Sequence, residues 1–466
     1  MSSENKKIVK PWQALLMLAV GIAVIIIGLL VLKVNNRIVL TVGGVILATM
    51  AWAFGISYDE IQKSIKETIT SMIVAMLILL AVGTLVGVWM ASGTVPTMIY
   101  YGMKMITPGL YLPIVCLLCT FMSTCAGTSW GTLATVGVAC MGVAEGLGIP
   151  LGVAAGAVCV GAFFGDKVSP LSDSPVITAS VTDVDMMTGI KHSLITTGPA
   201  YIISLIFFVF YGLQYGEGTV GGVVYNEILT TVGSQFNLNV VTLLPVIVVI
   251  ALIMLKKPTI PTFVAGILVG GILAMLLQGM DFATLLTTMY SGYAGESGSE
   301  TVDAMLNRGG LSSMNSTILL LMAAAIFGSP LKAAGVLDIL LQYMGKTIKG
   351  AKSMSLCCTL IHALFFCITG AYYVSYPVIG GMVKDMYPDY GLDKKNLMRS
   401  MLDTGTGLAP LVPWSTTGSY TATTLGVTTM SFAAFAPMLW LSIVFTLLIS
   451  ITGIGLAKLK GEEVAK

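Results

Sequence analysis

Residues 161 to 175, GAFFGDKVSPLSDSP, place Asp166, Lys167 and Asp173 among the hydroxyls of Ser169, Ser172 and Ser174, at the end of the apolar run GVAAGAVCVGAF. Further along, LDTGTGLAPLVPW sets Asp403 beside Thr404 and Thr406, ahead of Pro410 and Pro413. A carboxylate at membrane depth costs roughly 2.5 to 3.5 kcal/mol on insertion scales and is by default a functional group. Carboxylates, hydroxyls and the carbonyls of Pro-broken backbone are hard oxygen donors, which suit Na+ or H+ better than a transition metal. These residues predict a cation and proton site made by Asp166, Ser169, Ser172, Asp173, Asp403, Thr404 and Thr406, with Na+ at Asp166, Asp173 and Asp403. Plainer readings compete: Asp166 could pair with Lys167 at a helix end, and Asp173 and Asp403 could be helix caps.

A second set of polar groups, Thr128, Ser129, Ser174, Trp414, Ser415, Thr416 and Thr417, flanks the same Gly- and Pro-rich breaks and is expected to line the substrate side. No cofactor is expected, Na+ and H+ being transported or coupling ions. Two strings resemble hydrolase motifs. GTSWG at 127 to 131 fits the nucleophile elbow, but that turn requires a strand, a helix and Asp and His partners, and the chain has two histidines. DTGTG at 403 to 407 would allow an aspartyl dyad with Asp166, so an intramembrane hydrolase is the remote alternative. The hydroxyls beside each aspartate favour ion ligation, and the chain reads as no enzyme. Gly345-Lys346 lacks the spacing of a phosphate-binding loop, so ATP-driven transport is not expected. Rings of like charge and a repeated filter motif, which would mark an ion channel, are missing. His192 and His362 read as satisfied structural histidines, and the eight cysteines as small buried hydrophobes.

The elements that must hold these groups are helices in a bilayer. The 466 residues are 56% hydrophobic and only 10% charged, outside the range of soluble domains. Runs such as WQALLMLAVGIAVIIIGLLVL and SMIVAMLILLAVGTLVGVWM match the about 20 residues a span requires, and roughly ten to twelve spans are expected. A net charge of +2 gives no nucleic-acid footprint; the partners are the lipid bilayer, Na+, H+ and a small organic anion or amino acid, with a homodimer the expected assembly. Lys6, Lys7 and Lys10 before the first run, and Lys458 and Lys460 after the last, put both termini on the cytoplasmic side.

The chain divides into a cytoplasmic N-terminus (1–10), a first membrane half (11–215) with a hairpin and broken helix at 123–178, and an external loop (216–236). A second half (237–455) follows, with its own hairpin and broken helix at 368–418, and then a cytoplasmic C-terminus (456–466). Setting Pro170 over Pro410 lays Gly165 over Gly405, a weak internal repeat. Paired interrupted segments of this kind point to a transporter's binding site near the midplane. Residues 58–71 resemble an amphipathic interfacial helix, 281–313 a loop between the halves, and Glu145 an interfacial loop residue.

GDKVSPLSD (165–173), NRGGLSSM (307–314) and DTGTGLAPLVPW (403–414) resemble the signatures of the NhaC family of bacterial Na+/H+ antiporters, which includes malate and lactate exchangers. The resemblance implies an all-α polytopic fold with inverted repeats, two re-entrant hairpins and elevator-like movement. It also implies secondary active transport across a bacterial cytoplasmic membrane, by Na+/H+ antiport. The chain departs from the family pattern at Ser174 to Ile177 and at Leu402, which keeps a Na+-coupled carrier of an organic anion or amino acid open as the alternative.

Overall fold

The computed structural model describes residues 9–459 apart from 33, 106, 171, 216–222, 256, 337–338, 340–342 and 344–347. Expectations resting on Lys6, Lys7, Lys460 and Gly345-Lys346 fall outside the described residues. Within them the fold is nearly all helical, with a single isolated antiparallel bridge between Leu392 and Lys458. Eight described helices are long and apolar enough to cross a bilayer. A ninth is added if Tyr225–Gln235 and Val240–Met254, bent by 97° at Asn237 to Asn239, count as one span. That is fewer than ten to twelve among the described residues, and two further apolar helices, Pro108–Thr124 and Pro437–Thr452, fall just short of a full span.

One supersecondary pattern occurs twice. In its first occurrence Pro108–Ala126 descends to Gly127, whose left-handed φ of 67° ends the helix. Thr128 follows in extended conformation and caps the returning arm at 129–146, its Oγ1 accepting from the Gly131 N–H. The arms are antiparallel, since the Tyr111 hydroxyl near the start of one donates to the Cys140 carbonyl late in the other. Next comes Leu151–Val168, parallel to the first arm, then a break and the short helix Asp173–Thr182. In the second occurrence Ala351–Thr369 ends at Gly370, φ 66°, and returns as Tyr372–Val383. Lys395–Leu402 continues through a π turn at Asp403–Gly407 and a 3-10 turn at Ala409–Leu411, then breaks before Thr416–Leu425. Left-handed φ at both turns is what glycine permits at little steric cost.

The helix Leu151–Val168 is the centre of the molecule, with 78% of it buried against 28% of Pro11–Gly28. Its glycines explain how. A Cβ on Gly161 would collide with the Cys116 carbonyl and one on Gly165 with Ser123 and Thr124, so the helix lies backbone to backbone against the first hairpin arm. Lipid supplies no hydrophobic drive between helices, and small residues four apart let dispersion do that work. Gly152 and Gly156 make the same close approach to the carbonyls of Ser431 and Phe435.

Several expectations are corrected. Residues 58–71 are not a separate interfacial helix but the first turns of the unbroken Tyr58–Ala91, started by a capping box of Ser57 and Glu60; nothing between Ile69 and Val74 breaks helical hydrogen bonding. Residues 281–313 hold the helices Phe282–Ser291 and Glu300–Leu306, and 216–236 holds Val223–Gln235. Glu145 sits in the last turn of Val138–Gly146 and pairs with Arg308 at 2.9 Å. Gly309 and Gly310, at φ 87° and 81°, let the Arg308 loop lie against the backbone of Gly87, Gly83 and Gly292.

Candidate functional site

Asp166 lies in the last turn of the central helix and is 4% exposed. Its carboxylate accepts from Ser129 Oγ at 2.7 Å and from Ser172 Oγ. Each serine is fixed by a helix break: Ser129 is the first residue after the Gly127-Thr128 turn, and Ser172 caps Asp173–Thr182, accepting from the Ser174 N–H. Among the described residues no Lys or Arg pairs with Asp166. A carboxylate that is buried, hydroxyl-bonded and without a counter-charge is a site for a proton or small cation.

Lys167, one residue on, faces elsewhere, because successive helical residues do not share a face. Its Nζ donates to Asp403 and, at 3.4 Å, to Ser442 Oγ. Asp403 also accepts from Thr196 Oγ1 at 2.7 Å, from Thr446 Oγ1 and, more weakly, from Thr197 Oγ1 at 3.4 Å. Both side chains are fully buried. The pair lies on a different face of the helix from Asp166, and the buried guanidinium of Arg399 also acts on the Asp403 carboxylate.

Asp166 opens onto a cavity of about 420 Å³, lined by Asp173, Gly127, Thr128, Ser129, Trp130, Tyr372 and Tyr373, with Val74, Ile78 and residues 258–261 closing it. The residues expected to bind ions divide as follows. Asp166 and Asp173 face the cavity and Ser172 supports Asp166. Ser169 donates instead to the Thr124 carbonyl at 2.7 Å. Thr404 donates to the Ser400 carbonyl and bonds His362 Nδ1 at 2.7 Å, and Thr406 shares a 2.7 Å bond with the Tyr376 hydroxyl. Asp403 is occupied by Lys167. Of the groups expected to line the substrate side, Thr128 and Ser129 line the cavity. Ser174 and Thr417 are buried with unpartnered hydroxyls. Ser415 caps Thr416–Leu425, Thr416 donates to the Gly370 carbonyl, and Trp414 Nε1 donates to the Cys367 carbonyl at 2.7 Å. Both histidines are held as structural groups, His362 between Thr404 and Ser375, His192 against Asn396 and Arg399. The seven described cysteines are free and at least half-buried.

Sequence reasoning missed three features. Helical geometry puts Asp166 and Lys167 on different faces, but that Lys167 partners Asp403, 236 residues away, is set by packing. Tyr372 and Tyr373 stand directly after the second break in TGAYYVSYP, where their position was a sufficient signal. Trp130 stacks on Tyr420 at 4.2 Å and also lines the cavity.

The family model described as the Na+/H+ antiporter family matches residues 5–182 and 161–454. The chain is 37% identical over 445 residues to the Na+/H+ antiporter NhaC of Alkalihalophilus pseudofirmus, covering 95% of this chain and 96% of the relative. It is 36% identical over 434 residues to the malate-2H+/Na+-lactate antiporter of Bacillus subtilis, covering 93% and 92%. It is 30% identical over 444 residues to the arginine/ornithine antiporter ArcD of Halobacterium salinarum, covering 95% and 92%.

Proposed function

Because the chain belongs to the Na+/H+ antiporter family, we propose that it is a secondary active transporter exchanging Na+ for H+ across the cytoplasmic membrane, with both termini inside, and that Asp166 is the exchange carboxylate. The observation that carries the reading is the contrast between the two buried aspartates. Asp403 already has its cation in Lys167, whereas Asp166 is held by two hydroxyls and faces a cavity.

Na+ and H+ then compete for one group. Bound Na+ would take oxygens from Asp166, Ser129 and Ser172, with Asp173 adding negative potential at the mouth; a proton would neutralise Asp166 instead. Either occupant removes an uncompensated charge from a low-dielectric site, and the empty carboxylate is the state least suited to crossing the membrane. This is the physical basis of obligatory exchange.

The twice-occurring pattern supports an inverted repeat. Gly370 follows Gly127 by 243 residues, and the cap Ser415 follows Ser172 by the same interval. Gly165 and Gly405 each abut their own hairpin, and the 3-10 turn Ala409–Leu411 lies in the segment from that glycine to the cap, which is three residues longer in the second copy while the stretch before it is three shorter. The two hairpins and their broken helices would move as one body, locked by the Lys167 to Asp403 pair and by the glycine contacts, against the outer helices. The same frame could carry an organic solute, a reading favoured by the size of the cavity.

The test is a proteoliposome assay with an internal pH dye. An external Na+ pulse should alkalinise the lumen as protons leave. A lumen that responds equally to K+ and Na+, or to neither, would sink the proposal.

A further inference from the structure

We propose that the Arg308 loop is the outer gate of the transporter: Arg308, carried by the outer helices, latches onto Glu145 of the first hairpin, closes the end of the molecule opposite the Asp166 cavity, and must let go for the site to reach that side. The inference rests on the reading of Asp166 as the exchange carboxylate of a body that moves against the outer helices.

The stretch NRGGLSSM, 307–314, carries no part of the Asp166 site or of the Lys167 to Asp403 pair. Its backbone is fixed to the outer helices. The Gly310 N–H donates to the Gly83 carbonyl at 2.7 Å, the Tyr293 N–H donates to the Arg308 carbonyl at 3.1 Å, and a Cβ on Gly309 would collide with the backbone of Gly87. The Arg308 side chain reaches the other way. Its Nη2 donates to Glu145 Oε2 at 2.9 Å, and a Cβ on Gly426 would meet its Nη1. Glu145 lies in the last turn of Val138–Gly146 and Gly426 ends Thr416–Leu425, so the guanidinium stands at the C-terminal ends of two short helices, one from each copy of the repeated pattern. Helix carbonyls favour a cation there. A bond between the hydroxyls of Thr317, in Asn315–Ala333, and Thr423, in Thr416–Leu425, crosses the same seam.

The cavity lies at the other end of these helices. It is lined by Ser129 at the start of the returning arm, by Val74 and Ile78 of Tyr58–Ala91, and by residues 258–261. Glu145 is 16 residues beyond Ser129 on that arm, roughly 24 Å at the rise of a helix. Gly83 and Gly87 likewise lie beyond Ile78 on Tyr58–Ala91. Lys63 and Lys66 near the start of that helix, and Lys257 beside 258–261, mark the cavity end as cytoplasmic by the positive-inside rule, which puts the Arg308 loop on the outer side. The hairpins and the outer helices are thus parted by a cavity at one end and joined by polar contacts at the other. The ion pair is partly exposed, 28% at Arg308 and 22% at Glu145, and pairs of that kind contribute little net energy. Such a contact biases the closed state without locking it.

The test uses the full chain carrying Thr423→Cys as a reporter in the seam, treated in detergent with a membrane-impermeant maleimide and followed by intact mass above the labelling of the parent's own cysteines. Glu145→Gln should raise the labelling rate about threefold, the shift expected from losing one partly exposed ion pair. Arg308→Lys, which keeps the charge, should label as the parent does. Glu145→Gln should add less in an Arg308→Gln background than it does alone, because both remove one contact. In proteoliposomes, Glu145→Cys with Arg308→Cys, joined by a short reducible bis-thiosulfonate linker, should lose Na+-driven proton flux at least about tenfold relative to the same variant after reduction, as a gate held shut requires. Labelling that Glu145→Gln leaves unchanged, or flux that the linker leaves unchanged while Na+ still drives protons, would overturn the gate and leave the Na+/H+ reading standing. Labelling raised by Glu145→Gln, in a chain through which Na+ moves no protons, would support the gate and remove Na+/H+ exchange.

Discussion

Lys167 closes on Asp403 across 236 residues of sequence, while Asp166, its neighbour in the chain, lines the cavity from another face of the same helix. Two adjacent charges on one helical turn are thereby given opposite tasks. The pair has no exposed surface and is completed by hydroxyls of Thr196 and Thr446. Removing ions from water is offset only when the geometry is good and the remaining polar groups are satisfied; hydroxyls complete the Asp403 carboxylate.

Breaking that pair at Asp403 should therefore be costly, and removing it whole less so. Asp403→Asn leaves Lys167 and the neighbouring buried Arg399 without their carboxylate and should destabilise the protein by about 3 to 5 kcal/mol, whereas Lys167→Met leaves Asp403 facing Arg399 and should cost less. The double variant Lys167→Met with Asp403→Leu leaves Arg399 as the one buried charge and should cost less than Asp403→Asn, which leaves two. Thermal unfolding of the detergent-purified variants checks this; Asp403→Asn as stable as the double would show that the pair does not hold the helices together.

The glycine contacts make a separate prediction. Gly161→Ala or Gly165→Ala drives a methyl into the backbone of the first hairpin arm and should cost about 1 to 3 kcal/mol. Gly381→Ala, in the helix Tyr372–Val383, meets nothing within 4 Å and should be neutral or stabilising by up to about 1 kcal/mol, through helix propensity. Equal losses at Gly165 and Gly381 would mean that close helix approach is not what Gly165 provides.

Much of this arrangement was legible in the residues and some was not. Long apolar runs and the two Gly/Pro-rich breaks located the membrane helices and both turns, because backbone chemistry at glycine and proline is local. Ser172 beside Asp166 could be read for the same reason, being six residues away; Ser129, 37 residues away, was expected on the substrate side instead. Partners of Asp403 could not be read, since Lys167, Thr196 and Thr446 come from three other helices and only packing brings them together. Residues 58–71 misled because their charged, amphipathic composition is also that of a span's water-exposed extension; the capping box at Ser57 marked the start of a helix but nothing marked an end.

Outside the membrane, Asp183 ends the helix Asp173–Thr182 with a left-handed φ of 55°. It pairs with Lys384 at 2.6 Å and Lys394 at 3.3 Å. Hydrogen bonds from the two lysines hold its carboxyl below the usual carboxylate value. A group lowered on folding stabilises the native state above its unfolded pKa of about 3.9, and that contribution is lost as pH falls through the lower folded value. Asp183→Asn should thus be slightly less stable than the parent at pH 7, with the gap closing below about pH 4. Unfolding midpoints at pH 7, 5 and 3.5 test the sign; a gap that widens towards acid would refute it.

The account stands or falls on which aspartate exchanges ions. The most direct measurement compares Na+-driven proton flux in proteoliposomes for Asp166→Asn and for the double variant Lys167→Met with Asp403→Leu. Exchange lost in the first and retained in the second is the predicted result. Exchange that survives in Asp166→Asn and vanishes in the double variant would place the exchange site at Asp403 and contradict the account.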